Sequence, residues 1–541
     1  MATREKRPGI VAILTGFAAL IACALIVLAV SRPWFRDSHA IENWEQANDD
    51  RAAEALGPDG DSLVAAFCGD CHAVPRADRF PRDAWDEEVR KGYQYYARSG
   101  RNDLAPPSIH LTKAYFRSRA PQRLEFPVSE ESSGRFKATF KKEEFSSGNE
   151  SDVPPAISHL RWARLEQDGD PVLLACDMRS GSITAIDLRK RRSPPELFAR
   201  LNNPAHVEPC DLDQDGLIDL LVADLGSVYP HDHDRGRVVW LRRLGKNRTF
   251  EEAVVAAGLG RVADARAADF DGDGDLDLVV AEFGHYRTGG IILCRNGAEP
   301  GQRPQFLPEK LDSRPGTIHV PVLDLDQDGR LDFLALVSQE YESVDAFINQ
   351  GDSLRRRATL WAASDLAFGS SGIEPIDLDQ DGDMDILYSN GDAFDNSCVN
   401  PSHGVQWLEN LGGLQFQYHR IADLPGAYRA LAGDFDMDGD HDLIVTAWLP
   451  SQLRTPPVST STFASIVCFE QISPGQFVRH TLETGNPYHA TVEIADFDGD
   501  GDLDFAVASL LVTIRSKNTR GLSSGVTVWW NKGGPRLRKA E

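Results

Sequence analysis

Residues 269–277 read Asp-Phe-Asp-Gly-Asp-Gly-Asp-Leu-Asp, and the chain continues directly into Leu278-Val279-Val280-Ala281. Acids at positions one, three and five, a glycine at position six and an acid at position nine gather carboxylate oxygens around a sharp turn. Carboxylates this crowded repel one another or hold protons unless a cation sits among them. An EF-hand loop begins in the same way but needs Glu at position twelve and a helix after it. Here position twelve is Val280 and the continuation is apolar and β-branched. The stretch therefore predicts a metal-clamped turn between two strands.

The stretch recurs. Full copies begin at Asp211 (DLDQDGLID), Asp269, Asp324 (DLDQDGRLD), Asp377 (DLDQDGDMD), Asp434 (DFDMDGDHD) and Asp496 (DFDGDGDLD). An earlier copy beginning at Arg164, RLEQDGDPV, keeps Glu166, Asp168 and Gly169 but loses the first and last acids. The seven starts lie 47 to 62 residues apart, the spacing of a repeat architecture. The expected ligands of about six Ca²⁺ ions are Asp211, Asp213, Asp215 and Asp219; Asp269, Asp271, Asp273 and Asp277; Asp324, Asp326, Asp328 and Asp332; Asp377, Asp379, Asp381 and Asp385; Asp434, Asp436, Asp438 and Asp442; and Asp496, Asp498, Asp500 and Asp504.

Each period also carries further strand-like runs. Residues 238–241, 404–410 and 526–531 read as third strands, and 415–419 and 476–480 as fourth strands. Four short strands per period, seven times over, predict a mainly β chain built as a seven-bladed β-propeller over residues 135–533. Too little chain follows residue 531 for one more strand. Residues 135–141 (Arg-Phe-Lys-Ala-Thr-Phe-Lys), which alternate apolar and polar, are therefore expected to pair with 526–530 and close the ring. The repeated DFDGDGDLD, together with Glu409-Asn410-Leu411-Gly412-Gly413-Leu414-Gln415-Phe416, resembles the FG-GAP/VCBS repeat family of integrin-type propellers. That resemblance implies fold and calcium; it says much less about activity.

A second motif lies upstream: Cys68-Gly69-Asp70-Cys71-His72. Two thiols three positions apart can each form a thioether to a haem vinyl group while the adjacent imidazole reaches the iron. A zinc site would need a second Cys or His pair nearby, and a redox Cys-x-x-Cys would expect a thioredoxin-type context; neither is present. Helix-like patterns surround the motif: a helix capped by Asp61 or Ser62, a second over 82–98 with Trp85, Val89 and Tyr93 inward, and a third after Pro106-Pro107. Residues 58–122 thus resemble a small all-α cytochrome c-like domain with covalently bound haem c. Methionine occurs only at 1, 178, 384 and 437, so His/Met ligation within this segment is excluded. His110 is the candidate second axial ligand; the alternatives are Tyr93, Tyr95 or Tyr96, Met178, or an open position.

The chain starts with basic residues at 4, 6 and 7, then runs apolar from Gly9 to Val30. Twenty-two residues reach about 33 Å, enough for a bilayer core of about 30 Å. Residues 1–8 are expected to be a cytoplasmic tail, 9–30 a single transmembrane anchor and 31–57 a linker, with the body periplasmic or extracellular. A cleaved signal peptide is the alternative. Residues 123–134 read as a connector and 534–541 as a tail. Of the scattered cysteines, most read as small buried core residues.

With 82 Asp+Glu against 57 Lys+Arg, the net charge is −25, which argues against nucleic acid. The expected role is electron transfer or redox-partner docking, with a partner protein or small ligand at the propeller face. The alternatives are a propeller-based redox enzyme and a ligand-binding or adhesion propeller with a haem sensor. Segments 229–234, 282–287 and 390–395 are candidate face-lining loops, and His231 with His233 is a weak metal pair.

Overall fold

The computed structural model describes residues 58–70, 74–126, 136–148, 154–191, 193–298, 302–351, 354, 356–394, 397–451, 453, 462–511 and 525–533. The chain divides into two compact units, Met1–Gln122 and Arg123–Glu541. Among the described residues no helix is long and apolar enough to cross a membrane, and the expected anchor at 9–30 lies outside them.

In the first unit, α1 spans Pro58–Cys68, α2 Trp85–Ser99 and α3 Ile109–Arg119, with two short 3₁₀ turns before α2. Helix α1 is already formed at Pro58, upstream of the expected Asp61 cap, and Asp59 and Asp61 in its first turn complement the N-terminal dipole. Ser108 caps α3, its hydroxyl accepting the Leu111 N–H at 3.1 Å, and Gly100 ends α2 in the left-handed region at φ 74°. The interior is aromatic. Trp85 stacks on Phe116 at 4.1 Å, and the buried Tyr93 hydroxyl donates to the Pro107 carbonyl at 2.7 Å.

The second unit is a seven-bladed β-propeller, each blade an antiparallel sheet in chain order. Residues 157–200 form blade 1, 204–259 blade 2, 262–312 blade 3, 317–362 blade 4, 370–423 blade 5, 427–484 blade 6 and 489–531 blade 7. The first strands of successive blades are neighbours all the way round, blade 7 meeting blade 1. In blade 4 the first strand is split into Thr317–His319 and Val322–Leu323, where Pro321 cannot donate to the ladder.

Every second strand, from Val172–Asp177 to Asp504–Ser509, is buried along its whole length. Both faces of a blade are covered by neighbours, so these strands read as continuous apolar runs and not as alternating ones. The core is correspondingly divided into seven clusters, one between each pair of adjacent blades; Val279, Phe333, Phe347 and Leu293 belong to the cluster between blades 3 and 4. Cys176, Cys294 and Cys468 are buried among such residues.

Ring closure uses an upstream strand, but five residues later than expected. Phe140–Ser146 pairs antiparallel with Gly525–Asn531, from Phe140↔Asn531 to Ser146↔Gly525. Residues 136–139 are not strand. Phe136 and Ala138 are buried under blades 6 and 7 beside Phe435, Val492 and Phe505, so their alternation reflects packing and not pairing.

Candidate metal and cofactor sites

The six full loops share one geometry. Position six is glycine with φ between 84° and 103° (Gly216, Gly274, Gly329, Gly382, Gly439 and Gly501), which lets the chain reverse within the loop. Position four is left-handed as well, in Gln214, Gln327, Gln380 and Met437 among others. The first acid is fixed by amides of the turn: Asp211 accepts the N–H groups of Asp215 and Gly216 at 3.0 and 2.9 Å, and Asp324, Asp377, Asp434 and Asp496 repeat the pattern.

The ninth acid opens the second strand and is fully buried. It accepts one N–H from position two and one from the end of its blade's third strand: Asp219 from Leu212 and Arg243, Asp332 from Leu325 and Asn349, Asp504 from Phe497 and Asn531. Burial pushes this carboxyl up, to about 6 in Asp219, Asp277 and Asp385, about 7 in Asp504 and about 8 in Asp442.

The loops gather ligand atoms. In Asp211/Asp213/Asp219, Asp269/Asp271/Asp273, Asp324/Asp326/Asp332, Asp377/Asp379/Asp385 and Asp434/Asp436/Asp442, one oxygen of each acid lies within 4.8 Å of the others. Asp213 Oδ1, Asp277 Oδ2 and Asp436 Oδ1 are buried without a hydrogen-bond partner. Orphaned buried carboxylate oxygens beside converging ones fit a hard cation. Basic side chains touch these loops: Arg242 Nε lies 2.5 Å from Asp213, Arg295 3.1 Å from Asp271 and Lys137 3.0 Å from Asp436. In all six loops the fifth acid accepts the N–H of position seven, and in the five groups above only Asp273 also joins the converging oxygens.

The degenerate loop of blade 1 is built differently. Glu166 is held by two guanidiniums from blade 2, Arg243 at 2.7 Å and Arg248 at 2.8 Å. The Arg248 hydrogen bond, with Arg243 beside it, holds the Glu166 carboxyl below the usual range. Arg243 also donates to the Leu165 carbonyl, so side chains of the next blade bring positive charge to this loop.

Two sets of cross-links were not legible. The residue ending a third strand also reaches to the preceding blade's loop: Asn349 Nδ2 donates to Phe270 O at 2.7 Å and Asn531 Nδ2 to Phe435 O at 2.8 Å. The left-handed glutamines reach the other way, to the following blade's loop, Gln327 Nε2 reaching Gly382 O at 3.1 Å and Gln380 Nε2 reaching Gly439 O at 2.8 Å. Glutamine at position four in three of the six copies was the available signal.

In the helical unit, Cys68 is the last residue of α1; Cys71 and His72 lie outside the described residues. The chain turns tightly after Cys68. The Gly69 N–H donates to Ala65 O at 2.9 Å, and a Cβ there would meet that oxygen at 2.7 Å and Val74 at 2.9 Å. Arg101 pairs with Asp70, inside the motif, at 2.7 Å and with Asp103 at 2.5 Å. Phe67 packs on Tyr93 and Tyr96, each at 5.2 Å, and burial pushes the Cys68 thiol up to about 11. A thiol held at a helix end beside an aromatic wall, with a second thiol and an imidazole within four residues, fits the edge of a porphyrin. His110 is exposed in the first turn of α3, and Met178 is buried in the propeller with Ala156, Trp448, Ala490 and Leu510.

Two of the candidate face segments meet. Asp232 accepts N–H bonds from Tyr286, Arg287 and Thr288 at 2.8–3.1 Å, joining 229–234 to 282–287. His231 and His233 both turn to Arg235, the first facing its guanidinium and the second accepting its N–H. In the third segment Asn390 donates to Phe368 O, and Asp395 lies outside the described residues.

Residues 211–280 and 324–388 match the family described as "FG-GAP-like repeat". No curated protein matches the chain. Among solved structures, the chain is similar to BBS1N in complex with ARL6DN at 10% identity, over 73% of this chain and 98% of that one, with a TM-score of 0.42. It is similar to virginiamycin B lyase from Staphylococcus aureus at 10% identity, over 72% and 99%, with a TM-score of 0.43. An alpha-L-arabinanase from Penicillium chrysogenum is similar at 12% identity, over 61% and 93%, with a TM-score of 0.35. The chain carries FG-GAP-like repeats arranged as a seven-bladed β-propeller.

Proposed function

We propose that this is an exported, membrane-anchored c-type cytochrome whose calcium-loaded propeller docks a redox partner, and that it works in electron transfer. The observation that carries the reading is the Cys68-Gly-Asp-Cys-His72 motif at the end of α1, inside a three-helix unit with an aromatic interior. Cys68 and Cys71 would hold the porphyrin, and His72 the iron; bound haem supplies reversible one-electron chemistry. Arg101 is clamped between Asp70 and Asp103, and Phe67, Tyr93 and Tyr96 pack together beside the end of α1 that carries Cys68.

In the propeller, the first, third and ninth acids of each full loop would hold Ca²⁺, with the fifth acid and the position-seven carbonyl completing the shell. The ions offset carboxylates that the fold has desolvated, so their part is structural. The apolar segment 9–30 would keep the body at an extracytoplasmic membrane surface, the setting in which c-type attachment and calcium loading both suit the sequence.

The test is expression of the full chain with a cytochrome c maturation system. Haem that stays on the polypeptide through acid–acetone extraction, and is lost in the Cys71→Ser/His72→Ala variant, is the expected result. A colourless protein carrying stoichiometric zinc at this motif would overturn it.

A further inference from the structure

The first strands of the seven blades line the propeller axis, and a shift in register marks one equivalent position on each. In blades 1 to 4 that position is His159, His206, Asp264 and His319. In blades 5 to 7 it is Gly372, Arg429 and Thr491, so the metal-ligating types are confined to four consecutive blades.

The four side chains follow one another as neighbours. The rings of His159 and His206 are 4.0 Å apart, His206 Nδ1 is 3.2 Å from Asp264 Oδ1, and His319 Nδ1 is 3.9 Å from Asp264 Oδ2. Tetrahedral coordination by nitrogen and oxygen at about 2.0–2.2 Å sets neighbouring donors about 3.3 Å apart, and the two distances to Asp264 bracket that value.

His206 is 4% exposed; its Nδ1 faces Asp264 without an aligned hydrogen bond, and its Nε2 has no hydrogen-bond partner among the described residues. A buried imidazole nitrogen left unpaired is rare. The carboxylate opposite it is already oriented: Arg266 Nε donates to Asp264 Oδ1 at 3.0 Å and the Val320 N–H to Oδ2 at 3.1 Å. Those two bonds leave lone pairs on both oxygens for a further partner. Burial pulls the three imidazoles down from the ordinary histidine value, toward the neutral, ligating form. Burial also opposes charge on Asp264, but the Arg266 guanidinium beside it holds its carboxyl well below the usual range. The His319 side chain is 24% exposed, so an ion has a way in.

We propose that the propeller axis carries a divalent transition-metal site of the zinc class, with His206, Asp264 and His319 as ligands and His159 beside them as the fourth. Imidazole and carboxylate donors at this spacing favour zinc-like ions over calcium, which takes oxygen. The site shares no residue with the acidic loops or with the haem motif, so loss of binding in His319→Gln separates it from zinc held at Cys68 and Cys71.

The experiment is calorimetric titration of the full chain with Zn²⁺ in millimolar Ca²⁺, which keeps the acidic loops occupied. One equivalent of zinc is expected to bind. His319→Gln, at the partly exposed ligand, should weaken it at least tenfold and His206→Gln/His319→Gln should abolish it, while His231→Gln/His233→Gln leaves it intact. Calcium content and melting temperature of each variant report whether it is folded; if the double variant does not fold, the His319→Gln titration decides. Absence of stoichiometric zinc binding, or binding indifferent to His319 and lost with His231 and His233, would overturn the proposal.

Discussion

Blade 1 and blades 2 to 7 make the same turn by opposite means. In the full loops four or five acids crowd together, the buried ninth acid is pushed up by desolvation, and buried oxygens are left without hydrogen-bond partners. In blade 1 the first and ninth acids are Arg164 and Val172, and the remaining Glu166 is clamped by Arg243 and Arg248. On the proposed reading both turns gather positive charge, the full loops from a bound ion and blade 1 from the guanidiniums of the neighbouring blade, so that blade 1 would not depend on metal. A loop with a built-in cation also ties its blade to the next, since both arginines come from blade 2.

The largest expected effect follows from removing the ion. With free Ca²⁺ a hundredfold above the dissociation constant, each occupied loop adds about 2.7 kcal/mol to stability by mass action. Chelation should therefore lower the melting temperature more than any single substitution, and Asp277→Asn should remove one ion and part of that shift. A melt indifferent to chelator would break the comparison.

Next comes Arg243→Ala, which strips Glu166 and the Leu165 carbonyl of a buried donor. Hydrogen bonds to charged groups contribute about 1.5–3 kcal/mol, and a loss of about 2 kcal/mol is expected, the same in calcium and in chelator. A loss that appears only in calcium would mean that blade 1 binds metal after all.

A third effect separates loop acids from buried acids elsewhere. Burial raises the Glu342 carboxyl to about 8 and that of Glu493 to about 7. Between the unfolded value of about 4.5 and these values, the folded state holds protons that the unfolded state has released. Stability from these two groups therefore falls as pH rises through that window. In saturating calcium, Glu342→Gln should flatten the decline of melting temperature between pH 5 and 8; an unchanged slope would show that Glu342 does not titrate there. The smallest effect belongs to the rim. Gln327→Ala removes the hydrogen bonds to Gly382 and Asp383 and should cost about 1 kcal/mol, with calcium content unchanged.

The repeated loop made the propeller legible because turn chemistry and strand onset are written in nine contiguous residues. Third and fourth strands such as Gly404–Asn410 and Phe416–Asp423 were legible too. The closing strand was displaced because an outer edge strand is solvated: Phe140-Lys-Lys-Glu-Glu-Phe-Ser has only Phe145 buried and no clean alternation. Phe136 and Ala138, which alternate, are packed and unpaired. The axial histidines left no local trace, since His159, His206 and His319 lie 47 and 113 residues apart and only the ring of first strands brings them together. The arginine clamp was hidden for the same reason, its two halves lying almost eighty residues apart on different blades.

The calcium content of the purified chain, measured after exchange into metal-free buffer, tests the central contrast most directly. Six ions per chain, falling to five in Asp277→Asn and staying at six in Arg243→Ala, is the predicted result. Seven ions, or none, would contradict it.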